Sequence, residues 1–231
     1  MQIDLNCDLG EGCPHDAELM SLISSANIAC GWHAGDPATA MTTLRLAARH
    51  AVSAGAHPSF PDREHFGRRE MERTEQQIYE DCLYQIGALQ ALAHAAATSV
   101  RYIKAHGALY NMACRDPAYA RPLIAVAQLL ALPLVGLPGS HLQRLSEGRC
   151  RFVAEGFADR RYRADGSLVP RDQADAFVHD PHEAVQQALR LVEQRGVQTI
   201  CVHGDNPQAV DFVRALRAAL REAGCDIRAF A

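Results

Sequence analysis

Asp8, His57, Lys104, His106, Glu155 and His203 are the residues of this chain best suited to acid–base work on a carbonyl compound. A carboxylate can take a proton from water, a histidine can pass one to a leaving nitrogen, and an ammonium can hold charge that grows on oxygen. They stand near the ends of short apolar runs: IDLNCDLGEG, SAGAHPSF, RYIKAHGALYN, FVAEGFADR and TICVHGD. A sixth run, NIACGWHAGD, delivers His33 and Asp36 in the same way. One histidine at the end of an apolar run is more often structural than functional. Here His33, His57, His106 and His203 all close their runs beside a glycine, and independent accidents would not choose the same end each time. Lys104 is the only lysine of the chain, and a lysine differs from arginine in having a compact amine that can titrate.

Spacing assigns several of these residues to one face. Asp4, Asn6 and Asp8 alternate with Ile3, Leu5 and Cys7, and a period of two puts the polar three together. In a barrel the apolar face meets the helices, so the polar face looks inward, where a buried carboxylate needs a ligand, a metal or a polar network. The bland alternative is an edge strand with a wet face. Gly10 and Gly12 flank Glu11, where backbone can approach a ligand closely. Lys104 shares a face with His106, and Cys201 with His203 and Asp205. The remaining histidines fall in helices or loops and read as surface residues.

The elements that must hold these groups alternate. Strands are expected at Ile3–Cys7, Ile28–Cys30, Gly55–His57, Tyr102–Ala105, Leu134–Leu137, Phe152–Glu155 and Thr199–Val202, with Asp226–Phe230 as an eighth or an edge strand. Helical patterns lie between them: Asp16 to Ser24, Pro37 to Ala54, Thr74 to Ala97, Asp116 to about Leu132, Ser140 to Gly148, Asp180 to Arg195 and Asn206 to Ala223. Asp36-Pro37, Asp116-Pro117, Asp180-Pro181 and Asn206-Pro207 are cap-then-proline starts. The expected fold is α/β: an incomplete or seven-stranded (β/α) barrel, parallel strands inside and helices outside, as one domain over 1–231. An open doubly wound sheet is second, because no glycine-rich dinucleotide fingerprint follows the first strand. Asp165-Gly166 within Arg161 to Arg171 signals a hairpin, placed to fold over the barrel mouth.

Composition narrows the function. A net charge of −4 and a pI near 6.2 give no electrostatic reason for nucleic acid or an anionic membrane as partner. No apolar stretch is long enough to span a bilayer. Eight cysteines without a CxxC pair, and a strand that begins at once after Met1, read as a reduced cytoplasmic protein. HExxH and zinc-finger spacings are missing, so no residue is assigned as a metal ligand. Histidines and aspartates from separate strands still leave a divalent ion open. There is no GxSxG elbow and no GxxxxGK[ST] phosphate loop.

DLNCDLGEG, SSANIACGWHAGDP, GAHPSFPD, FGRREM, KAHGALYN, EGFADRRY, LVPR and TICVHGD occur in this order from Asp4 to Asp205. Together they resemble the LamB/YcsF family, described as the A component of 5-oxoprolinase. Trp32, Ala105 and the Cys13-Pro14-His15 stretch depart from that pattern, but no ionisable residue of the motifs is lost. The resemblance implies a barrel of the glycoside hydrolase/deacetylase type. It also implies a share in the ATP-dependent opening of 5-oxoproline to L-glutamate, together with 5-oxoprolinase subunits B and C. ATP is then the co-substrate of the complex, held by the partner subunits. On this reading Asp8 or Glu155 is the base on water, and His57, His106 or His203 protonates the ring nitrogen. Lys104 stabilises charge on oxygen or phosphate. Arg160, or Arg68 and Arg69, clamps the substrate carboxylate, while Asn6, Glu11, His33, Asp36 and Asp205 bind and orient substrate. Two alternatives stay open: a metal-dependent amide or acetyl hydrolase, and a non-catalytic lactam-binding regulatory subunit.

Overall fold

The computed structural model describes residues 1–171, 173–203 and 209–231. Seven parallel strands form its centre: β1 (Gln2–Leu9), β2 (Ser25–Ala29), β3 (Ser53–His57), β4 (Val100–Ile103), β5 (Leu134–Gly136), β6 (Phe152–Phe157) and β7 (Thr199–Val202). Each pairs with the next, and β1 pairs with both β2 and β7, which closes the ring. The expected seven-stranded barrel is therefore the fold, and the open sheet is not. β8 (Asp226–Ile227) adds to β1 at Gln2 and Ile3, outside the ring.

Helices surround the barrel: α1 (Asp16–Met20), α2 (Pro37–His50), α3 (Glu75–Ala95), α4 (Gly107–Arg115), α5 (Pro117–Leu130), α6 (His141–Ser146), α7 (Pro181–Arg195) and α8 (Ala209–Glu222). The starts of α2, α3, α5 and α7 follow the caps in the sequence, while Asn206-Pro207 lies outside the described residues. The Asp36, Asp116 and Asp180 side chains accept from backbone N–H groups of the first turn, and Thr74 and Gln77 form a reciprocal capping box. α4 is a correction to the sequence reading, which leaves Gly107 to Arg115 outside any helix. It starts directly behind His106, and its buried residues include Ala108, Leu109, Met112 and Ala113. Little more than two turns of apolar pattern give a weak periodic signal.

The alternation of β1 is obeyed. Ile3, Leu5, Cys7 and Leu9 point outward and join Leu44, Ile86, Leu123 and Val213 in one apolar core. Asp4 and Asn6, each 1% exposed, point inward, so β1 is not a wet edge. Asp4 accepts hydrogen bonds from the hydroxyls of Ser24, Ser25 and Thr199. The Tyr102 hydroxyl donates to Asn27 at 2.7 Å. The Tyr102 ring packs with Val135, Val153 and Phe230, closing the lower barrel. It uses the space that Gly55 leaves open: a Cβ there would lie 2.2 Å from the ring.

Burial pushes the Asp4 carboxyl up to about 6 against the opposing effect of its three hydroxyl donors. An unfolded Asp titrates near about 3.9, so between those values the folded chain binds the extra proton. Its contribution to stability therefore falls as pH rises through that window, and the cost is complete above it. We expect Asp4→Asn to remove a pH-dependent term on the order of 3 kcal/mol. Urea melts from pH 4 to 7 check this: the wild type should lose stability with rising pH more steeply than the variant. Parallel curves would refute the assignment.

Among the described residues no helix is long and apolar enough to cross a membrane. None of the eight cysteines is in a disulfide. Beyond β6 the chain makes the hairpin expected from Asp165-Gly166. Tyr162 bridges Leu168 in antiparallel fashion, and Arg163 donates its N–H to the Ser167 carbonyl at 2.8 Å.

Candidate active site

The C-terminal ends of the strands open into a cavity of about 790 Å³. Asp8, His57, Lys104, His106 and His203 line it, Tyr110 and Phe157 form part of its wall, and the hairpin from Arg163 to Arg171 borders its mouth.

Lys104 follows β4 and is buried on the cavity floor. Its Nζ lies 3.1 Å from Asp8 Oδ1 and 2.9 Å from Glu155 Oε1. It also donates to Asn6 Oδ1 at 3.2 Å and to Cys201 Sγ at 3.0 Å. Asn27 donates to the same Asp8 oxygen at 2.7 Å. Burial alone would raise the Asp8 carboxyl, but His57 and Lys104 outweigh it and hold the group well below the usual carboxylate range. Burial likewise opposes the Lys104 ammonium, yet Asp8, Cys201 and Glu155 lift it well above an ordinary lysine. Asp8 and Lys104 thus form an ion pair across the floor. Asn6 and Glu155 sit within the floor, beneath the cavity.

Above the floor, three imidazoles meet. His57 Nδ1 donates to the Lys104 carbonyl at 2.7 Å, and its Nε2 lies 3.3 Å from Asp8 Oδ2 and 3.0 Å from His106 Nδ1. His106 Nε2 donates to the Phe66 carbonyl at 2.8 Å. The His106 ring stacks on His33 at 3.8 Å, and His33 Nε2 lies 3.0 Å from Glu11 Oε1. Burial lowers His33; burial with the neighbouring rings of His33 and His57 takes His106 well down. His57 moves the other way: burial would lower it, but the Asp8 carboxylate raises it. The Phe66-Gly67 turn covers the cluster so closely that a Cβ on Gly67 would lie 2.8 Å from His33 Cβ. Its φ of +65° also favours glycine.

On the opposite wall His203 Nδ1 meets Asp159 Oδ2 at 2.8 Å, and the His203 backbone N–H donates to the same oxygen at 3.0 Å. Burial would raise the Asp159 carboxyl, but His203 keeps it lowered. With Nδ1 engaged, Nε2 is the ring atom left for proton exchange. Asp159 is not among the residues nominated by sequence, although the period-two face that carries Glu155 continues through Phe157 to Asp159. Nor is Tyr110, on α4, whose buried hydroxyl faces the Glu155 carboxylate.

The binding residues expected from sequence divide. Glu11, Arg68 and Arg160 line the cavity. Arg160 is largely tied to the loop that follows it, donating from Nη2 to the Val169 carbonyl at 2.6 Å and from Nε to the Ala176 carbonyl at 3.3 Å. Burial, with Arg171 nearby, brings it down to about 10. Arg69 is exposed and turns to Asp62, 3.5 Å away, instead of the cavity. Asp36 is exposed as well, because its carboxylate caps α2 through Thr39 N–H at 2.7 Å. Asp205 lies outside the described residues. Arg115, Arg163 and Arg171 add basic groups to the mouth that sequence does not single out.

Among the described residues two sets of side chains approach one another closely: Glu11, His33, His57 and His106, and Asp8, Cys201 and His203, the ligand atoms within each set lying within 4.8 Å of one another.

The model of the LamB/YcsF family matches residues 3–231. The crystal structure of the lactam utilization protein from Thermus thermophilus superposes with a TM-score of 0.92 at 41% identity, covering 100% of both chains. A putative cellobiose-phosphate cleavage protein from Enterococcus faecalis gives a TM-score of 0.62 at 13% identity, covering 99% of this chain and 96% of that one. A family 4 carbohydrate esterase from Streptomyces lividans gives 0.57 at 11% identity, covering 100% and 93%. At such identities the last two speak for the barrel alone.

Proposed function

The chain belongs to the LamB/YcsF family, and from that premise we propose that it hydrolyses a cyclic amide, as the A component of an ATP-dependent 5-oxoprolinase that makes L-glutamate. The observation that carries this reading is the full-length likeness, at 41% identity, to a protein described as acting in lactam utilization. A lactam carbonyl is a poor electrophile. Phosphorylation of its oxygen by partner subunits B and C, using ATP, would make the ring carbon open to water. This chain would then receive the activated ring in the cavity, in the cytoplasm, where its free thiols stay reduced.

The residues suit that division of labour. Arg68, Arg160, Arg163 and Arg171 offer positive charge to a carboxylate or phosphoryl group at the mouth. Lys104 spends its donors on Asp8, Glu155 and Asn6, so it acts on substrate through its charge and by fixing Asp8. The cluster of Glu11, His33, His57 and His106 orients the attacking water. His203, held by Asp159, takes up a water proton and delivers one to the ring nitrogen as the C–N bond breaks, which leaves γ-glutamyl phosphate; a second water then releases inorganic phosphate and L-glutamate.

The test is glutamate formation from 5-oxoproline with this chain, subunits B and C and ATP, each omitted in turn. We expect product only when all are present. Full turnover without this chain, or turnover by this chain alone without ATP, would overturn the proposal.

A further inference from the structure

We propose that Glu11, His57 and His106 bind one divalent transition-metal ion, a site that holds whatever the substrate of the cavity is. Hydrogen-bond direction fixes where two ring protons lie. A carbonyl oxygen only accepts, so His57 Nδ1, 2.7 Å from the Lys104 carbonyl, carries a hydrogen. His106 Nε2, 2.8 Å from the Phe66 carbonyl, carries one for the same reason. With those hydrogens alone, the two rings aim bare lone pairs at each other across the 3.0 Å between His57 Nε2 and His106 Nδ1. Such a contact needs a positive centre.

A shared proton would satisfy that one contact and no more. The surroundings hold more donors than that. Glu11 Oε1 lies 3.6 Å from His106 Nδ1 and 3.0 Å from His33 Nε2, and Asp8 Oδ2 lies 3.3 Å from His57 Nε2. Nitrogen and carboxylate ligands about 2.0–2.2 Å from a single ion stand about 3.0–3.6 Å from one another. The 3.0 Å between His57 Nε2 and His106 Nδ1 and the 3.6 Å between Glu11 Oε1 and His106 Nδ1 fall in that range. A backbone carbonyl behind His57 and another behind His106 fix ring and tautomer, which is the usual support of a metal-bound imidazole. His33 lies flat on the His106 ring, so its lone pairs run parallel to those of His106 and miss the ion; its Nε2 holds Glu11 at 3.0 Å instead. Two imidazoles with a carboxylate suit zinc, cobalt, nickel, iron or manganese better than magnesium or calcium. An ion of this class polarises a carbonyl or acidifies bound water.

The test is direct binding of cobalt(II) to chelator-treated full-length protein, read by visible absorption and by calorimetry, without any activity assay. We expect one equivalent to bind, with d–d bands of a nitrogen-rich site. His57→Ala and His106→Gln should each weaken binding by more than about 100-fold. Glu11→Gln, at a loop position, serves if either variant fails to fold, and should weaken binding as well. His203→Ala should leave affinity and spectrum unchanged, because His203 belongs to the other set. No saturable binding by the wild type would mean that a proton alone fills the gap, and overturns the site. So would loss of binding in His203→Ala with retention in His57→Ala.

Discussion

Lys104→Met is expected to lower kcat/KM for lactam opening by about 1,000-fold or more and to cost about 3–5 kcal/mol of stability. The stability loss follows from what methionine leaves behind. Asp8 and Glu155 both direct an oxygen at Nζ, at 3.1 and 2.9 Å, and Glu155 is wholly buried. Without the ammonium, two carboxylates share one low-dielectric floor. The activity loss follows from position: Asp8 contacts His57, so a displaced Asp8 disturbs the imidazole cluster. In the wild type Asp8 is lowered and Lys104 raised. The Asp8 contribution is present above the usual carboxylate value and disappears only as pH falls through its lower folded value. The Lys104 contribution is complete below the usual lysine value and disappears only as pH rises past its higher folded one. The pair should therefore contribute a constant amount around neutrality. Urea melts at pH 6 to 8, with steady-state assays of the reconstituted complex, check both effects. Turnover within tenfold of wild type would remove Lys104 from the machinery.

Much of this arrangement is legible in the sequence because it follows from short-range periodicity. The alternation of Asp4, Asn6 and Asp8 with apolar neighbours places the polar face inside the barrel. Aspartate before proline marks helix starts, and Asp165-Gly166 marks the hairpin. Where the sequence misleads, two local rules compete or a strand boundary is set too early. Asp36 looks like a site residue because it follows His33 and Gly35, yet Asp-Pro is also a capping signal, and the cap wins. β6 is expected to end at Glu155 but runs to Phe157, and stopping early hides Asp159. α4 hides Tyr110 in the same way. What no local rule supplies is the meeting of distant residues. His57 and His106 are 49 positions apart and touch at 3.0 Å only because β3 and β4 are neighbours in the ring. Sequence can nominate both rings, but the direction in which each shows its lone pair depends on the Lys104 and Phe66 carbonyls.

Asp159→Asn is expected to lower kcat by about 100- to 10,000-fold while leaving KM and the fold nearly unchanged. One oxygen of Asp159 accepts from both the backbone N–H and Nδ1 of His203. Asparagine is nearly isosteric, so the loop can keep its shape, but the charge that favours the protonated imidazole is gone. An amide nitrogen turned toward Nδ1 would also select the wrong tautomer, moving the hydrogen to Nε2. His203 could then no longer accept a water proton. If the two residues work as one unit, His203→Ala should cost about as much, and the double variant little more than either alone, because effects within a unit do not add. A general structural role predicts something else: lower melting temperature, higher KM and additive losses. Single-turnover rates for the two single variants and the double variant separate the cases. Additive losses would reduce Asp159 to a scaffold of the loop after β6 and return the proton-transfer role to the imidazoles on the far side of the cavity.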